Sequence, residues 1–179
     1  MLTRARRTAA AIVASLGLGI GSAVWAASAA SAASAVPPTC TAGDLAVWVN
    51  INSGNAAAGT DYYALEFTNT TFHACRTIGY PGVSATNANQ NQLGDAAGRN
   101  PLYKAAYVTI PAGATAHVLF AYADAEVYTS GCKPANASFL RVYPPNEKGS
   151  DLSFFSLKVC TLTHHTYLFV SVMRPGTNI

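Results

Sequence analysis

Along most of the chain apolar and polar side chains alternate one by one, the period of a strand with one buried face. From Asp44 to Asn52, Leu45, Val47, Val49 and Ile51 fall on one face, and Ala46, Trp48 and Asn50 on the other. From Asp61 to Asn69, Tyr63, Leu65 and Phe67 oppose Tyr62, Ala64, Glu66 and Thr68. Gly54 and the small residues up to Gly59 form the expected turn between these two strands. Further strands are predicted over Cys75 to Gly79, Val83 to Thr86, Tyr107 to Ile110, Thr115 to Tyr122, Phe139 to Tyr143, Leu152 to Val159 and Tyr167 to Met173. After the first 35 residues no stretch holds a 3.6-residue period for more than about two turns. Short strands separated by turn signals predict two packed antiparallel sheets, an immunoglobulin-like β-sandwich in the broad sense. The antibody pattern of Cys, Trp, Cys is missing, because Trp48 follows Cys40 too closely.

The connections carry their own chemistry. Tyr80-Pro81-Gly82-Val83 puts Pro where φ near −65° is wanted and Gly where φ must be positive, which predicts a type II turn. Pro144-Pro145-Asn146 cannot continue a ladder and ends the strand holding Leu140 and Val142. Asn87 to Gln92 is a polar connection. The longest predicted loop, Gly94 to Lys104, holds Asp95, Arg99 and Asn100-Pro101.

The first residues break the alternation. Arg4, Arg6 and Arg7 precede an apolar stretch from about Ala9 to Val24, and a small-residue tract follows with Ala30-Ser31-Ala32 and Ala33-Ser34-Ala35. This order predicts a cleaved secretory signal peptide over residues 1–35 and a single mature domain over residues 36–179. The competing reading is an uncleaved anchor, since the apolar run with its Ala-rich tail approaches the ~20 residues needed to span a bilayer. The pair Arg6-Arg7 invites twin-arginine export, but Thr8-Ala9-Ala10 lacks the bulky residues expected after it, so general secretion is favoured. Pro37-Pro38-Thr39 before Cys40 is no lipobox. With the leader go three of the chain's 11 basic residues, leaving as many bases as its 8 acids. The mature domain has no basic surplus to hold phosphates, and nucleic acid is not an expected partner.

Cys40, Cys75, Cys132 and Cys160 make an even set in an exported chain, which predicts two disulfides. No C-x-x-C pair supports a zinc knuckle or a redox dithiol. Of the three possible pairings, Cys40 with Cys75 and Cys132 with Cys160 is favoured, since each bridge then ties a local group of strands.

Three segments have a family look: Gly59-Thr60-Asp61-Tyr62-Tyr63-Ala64-Leu65-Glu66-Phe67-Thr68-Asn69-Thr70 before Cys75, then Gly79-Tyr80-Pro81-Gly82-Val83-Ser84, then Leu140-Arg141-Val142-Tyr143-Pro144-Pro145-Asn146. In order and cysteine placement they resemble the secreted bacterial family known as domain of unknown function 4232, from Cys40 to about Met173. The resemblance implies an exported, mostly actinobacterial envelope protein with a β-sandwich fold. It implies no activity.

Nucleophilic catalysis needs an activated Ser, Thr or Cys beside a base and an orienting acid. The cysteines are committed to disulfides, no G-x-S-x-G elbow occurs, and the scattered acids suggest no glycosidase pair, so no enzyme is expected. Metal binding is a sharper reading. His164 and His165 precede the last strand, His73 precedes Cys75, and His117 lies on the polar face of its strand. Imidazoles suit zinc or copper, yet adjacent histidines on a strand diverge, and solvated histidines are the plain alternative. Only Met173 remains in the mature domain, so the Met-rich pattern of many copper carriers is missing. Asp124, Glu126 and Asp151 lack the density of a calcium loop, and Arg141 is read as a strand residue without a catalytic role.

Trp48, Tyr62, Tyr167 and Phe169 fall opposite the main apolar set of their strands, where polar residues are usual. Rings there can stack on sugars or anchor a protein, or they simply cover a sheet in a domain poor in charge. The expectation is therefore a monomeric, cofactor-free, non-catalytic module, secreted or associated with the cell wall, that binds an envelope glycan or protein. The alternatives are an exported zinc- or copper-binding protein using His73, His164 and His165, and a secreted protease inhibitor presenting the Gly94 to Lys104 loop. The leader reading is checked directly: protein recovered outside cells is expected to have an intact mass that begins near Val36.

Overall fold

In a computed structural model, residues 35–125, 132–161, 166–177 and 179 are described. The leader, Glu126, His164 and His165 lie outside them. The described residues form an all-β, sandwich-like fold whose one helical element is a 3-10 turn, Ala42–Asp44. The strands are β1 (Leu45–Ala57), β2 (Thr60–Asn69), β3 (Cys75–Thr77), β4 (Gly82–Thr86), β5 (Gly98–Arg99), β6 (Val108–Ile110), β7 (Thr115–Ala123), β8 (Pro134–Tyr143), β9 (Asp151–Cys160), β10 (Leu168–Val170) and β11 (Arg174–Pro175).

A six-stranded sheet runs in the order β1-β2-β7-β10-β5, with β11 also on β7. A three-stranded sheet runs β4-β8-β9, and β3 with β6 makes a separate pair. The expectation of two antiparallel sheets is thus amended twice. There is a third, small sheet, and β5 joins β10 in parallel, so the predicted loop from Gly94 to Lys104 is partly strand. Asn100 continues that attachment by donating its N–H to the Val170 carbonyl at 2.8 Å.

Alternation decides what lies inside. Val47 and Val49 of β1, Leu65 and Phe67 of β2, and Val118 and Phe120 of β7 meet Leu140 and Val142 of β8 and Phe155 and Leu157 of β9 in one buried core. At one end of it the rings of Tyr63 and Tyr122 stack 6.2 Å apart, and Phe155 meets Tyr63 edge-on at 5.2 Å. Burial there, reinforced by the charge of Asp61, pushes the Tyr122 hydroxyl well above its ordinary pKa, so it stays protonated.

Ile51, read as a core position, is 69% exposed. The cause is a bulge: Asn50 pairs with Ala64 and Asn55 with Tyr62, so Ile51 to Gly54 all stand opposite Tyr63 and the alternation is lost. Gly54 is needed there, since a Cβ would come within 2.7 Å of the Tyr63 ring. Strand β1 then resumes up to Ala57, and the turn shrinks to Ala58-Gly59, with φ of 51° and 76°, a two-residue type I′ hairpin. The predicted type II turn at Pro81-Gly82 does not form. Gly82 opens β4 opposite Tyr143, and the positive φ belongs to Gly79. As expected, β8 ends at Tyr143 before the two prolines.

Both disulfides pair as favoured, Cys40 with Cys75 and Cys132 with Cys160. The first fastens the N-terminal segment to β3, where Cys40 and Arg76 already exchange a backbone hydrogen bond of 2.9 Å. The second joins the start of β8 to the end of β9, whose ladder pairs Pro134 with Cys160. Replacing Cys40 and Cys75 together by Ala is expected to lower unfolding free energy by about 3 to 4 kcal/mol, the loop-closure entropy of a loop this long, as read by urea denaturation.

Candidate functional site

The outward face of the six-stranded sheet collects the unusual side chains. Directly paired residues on neighbouring strands project from the same face, so the ladders define rows across the sheet. One row runs Asn55, Tyr62, Ala121, Phe169, Gly98. Another runs Trp48, Glu66, His117, Arg174. Between β10 and β11 the chain leaves the ladder at Ser171, whose hydroxyl accepts the Leu119 N–H at 2.9 Å, and this detour brings Arg174 back beside His117.

Two hollows open on this face and share Tyr62. One, of about 290 Å³, is lined by Asn55, Tyr62, Tyr103, His117, Arg174 and Ile179 among others. The second, of about 340 Å³, is lined by Thr60, Tyr62, Arg99, Asn100, Pro101 and Phe169 among others. Arg174 lies over the Tyr103 ring at 4.1 Å, a cation–π contact that holds the guanidinium at the rim. Phe169 rests on Gly98, where a Cβ would come within 3.2 Å of its ring. That close approach explains a glycine in so short a strand.

Beneath the first hollow the face is polar yet closed. His117 is 3% exposed and its Nδ1 lies 2.8 Å from the Gly176 carbonyl oxygen. A carbonyl can only accept, so this nitrogen carries a proton. Glu66, also buried, accepts a 2.8 Å hydrogen bond from Asn50 Nδ2. Trp48 donates its indole N–H to Thr68 Oγ1 at 3.4 Å, and Thr68 in turn meets Thr115 at 2.9 Å.

The four aromatic residues singled out from the sequence separate. Tyr62 and Phe169 line the hollows, and Trp48 is exposed on the same face but lines neither. Tyr167 is buried and lines neither hollow. It is 8% exposed and packs with Ala123, Ala125 and Cys160 beside Cys132, while its carbonyl accepts the Ala123 N–H at 2.9 Å. Of the histidines weighed for metal, His73 is exposed in the loop before Cys75 and His117 is bonded to Gly176, while His164 and His165 are outside the described residues. Among the described residues no three His, Cys, Asp or Glu side chains gather as a metal site. Arg141 donates to the Gln90 carbonyl at 2.8 Å rather than to an acid. No helix among the described residues is long and apolar enough to cross a membrane.

A second feature escaped the sequence pattern. Asn69 is fully buried and its amide is saturated: Nδ2 donates to the carbonyls of His73 and Ile110 at 2.8 and 2.9 Å. Its Oδ1 accepts from the Thr71 N–H and hydroxyl at 3.0 and 2.8 Å. The loop so clamped carries Phe72, which is 102% exposed. Asp44 buttresses the neighbouring 3-10 turn, where the Thr41 backbone N–H at 2.7 Å holds its carboxyl below the ordinary carboxylate range.

A small all-β domain stapled by two disulfides is thus combined with an aromatic, arginine-bearing sheet face. Over residues 40–167 the chain matches the family described as a domain of unknown function (DUF4232), and it belongs to that family. No curated protein and no solved structure matches it. Asn69→Ala is expected to cost about 2 to 4 kcal/mol, because the buried Ile110 carbonyl loses its side-chain partner, whereas Phe72→Ala is expected to stay within about 0.5 kcal/mol, both read from denaturation midpoints.

Proposed function

We propose that this domain is a non-catalytic binding module that works outside the cytoplasm, and that the outward face of its large sheet takes up a glycan of the cell envelope. The observation that carries the reading is the pair of hollows on either side of Tyr62, with Tyr103 in one and Phe169 in the other. Flat rings set among amide, hydroxyl and guanidinium groups offer what a sugar ring presents, apolar C–H faces to stack and hydroxyls to bond. Two disulfides fit an oxidising compartment and agree with the secretory leader read from the first residues. The inhibitor alternative is less favoured, since its loop is fastened to the sheet through Gly98, Arg99 and Asn100.

Purified protein is expected to co-sediment with insoluble cell-wall polysaccharide, and Tyr62→Ala is expected to weaken that binding by about tenfold or more, with a smaller loss for Trp48→Ala. Unchanged sedimentation of a folded Tyr62→Ala variant would refute the reading.

A further inference from the structure

Within this face, we infer that the hollow of Tyr62, Tyr103, His117 and Arg174 recognises a carboxylate carried on a sugar, so that the glycan taken up is an acidic one. The inference rests on the glycan reading and adds the chemical class of the ligand. Arg174 and His117 are direct partners across β7 and β11 and therefore project together. The Arg174 guanidinium lies over the Tyr103 ring at 4.1 Å, and its planar fork of N–H donors matches a two-oxygen acceptor. Among the described residues Arg174 forms no ion pair, so this cation is not committed elsewhere.

His117 supplies the second observation. It is almost wholly buried, lines the hollow, and spends Nδ1 on the Gly176 carbonyl. Among the described residues it has no other hydrogen-bond partner, which leaves Nε2 for a hydroxyl of the sugar. The Glu66 carboxylate stands on the far side of His117 from Arg174 in the same row and is tied to Asn50.

Arg99 also lines the second hollow, but it pairs with Val170, which faces the core, and its guanidinium lies over the Tyr80 ring at 5.4 Å. Arg174 is therefore the guanidinium assigned to the carboxylate.

The test uses the full exported protein with its disulfides intact and two probes, oligogalacturonate and glycan strands containing N-acetylmuramic acid, each beside its carboxyl-reduced form. Calorimetry is expected to give at least about tenfold tighter binding to one acidic probe than to its reduced counterpart, and the probe that shows it distinguishes a ring carboxyl from a lactyl one. In Arg174→Gln the acidic probe is expected to fall to the affinity of the reduced one. Arg141→Gln, which removes the same charge on the other sheet, is expected to keep the preference.

Equal binding of acidic and reduced forms by the wild type would overturn this inference and leave the glycan reading standing. So would an Arg174→Gln variant that still prefers the acid, or an Arg141→Gln variant that loses the preference equally. No binding to any of the four probes, together with failure to sediment with cell-wall polysaccharide, would remove both.

Discussion

Everything in this domain depends on the pairing of β2 with β7 at the centre of the large sheet. Their inward residues Leu65, Phe67, Val118 and Phe120 are fully buried against the opposite sheet. Because successive side chains point to opposite faces, fixing those four also fixes Glu66 and His117 on the outside, directly opposite each other. A slip of one residue would bring the glutamate and the histidine into the core and expel Phe67. The hydrophobic contact therefore sets the register, and the register sets the chemistry of the outer face.

That outer face is closed in part by later segments of the chain. Strand β11 and Gly176 lie along β7, and Arg174 lies over the Tyr103 ring. The two hollows stay open on the flanks of Tyr62, and Trp48 is exposed on the same face. A buried polar row, with His117 held by Gly176 and Glu66 by Asn50, lies beneath the aromatic rim.

Much of the fold was legible in alternation alone, because Leu45, Val47, Val49, Leu65 and Phe67 each obey the period and each are buried. The disulfide pairing was legible for a related reason, since each bridge joins elements close in the chain. Ile51 breaks the pattern because the period does not survive the bulge. Tyr167 keeps its pairing with Ala123 but is covered beside Cys132 and Cys160, a long-range contact that no local pattern reveals. Pro81-Gly82 carries the residues of a turn, yet pairing with β8 overrides that local preference. Tyr62 and Phe169 could be nominated from their parity. Arg174, Tyr103 and Gly98 could not, because nothing local says that a short parallel strand and a returning tail will meet there.

Among the described residues strand β1, thirteen residues long, is the outermost strand on its side of the large sheet. Such a margin is a template on which another extended chain can add. The irregular stretch from Ile51 to Gly54 interrupts it, and Ser53 seals the interruption by bonding the Asn50 carbonyl at 2.6 Å and accepting the Ala64 N–H at 2.8 Å. The kink that cost Ile51 its place in the core thus divides a long sticky rim into two short ones, and a protein crowded among its own copies gains resistance to fibrous stacking.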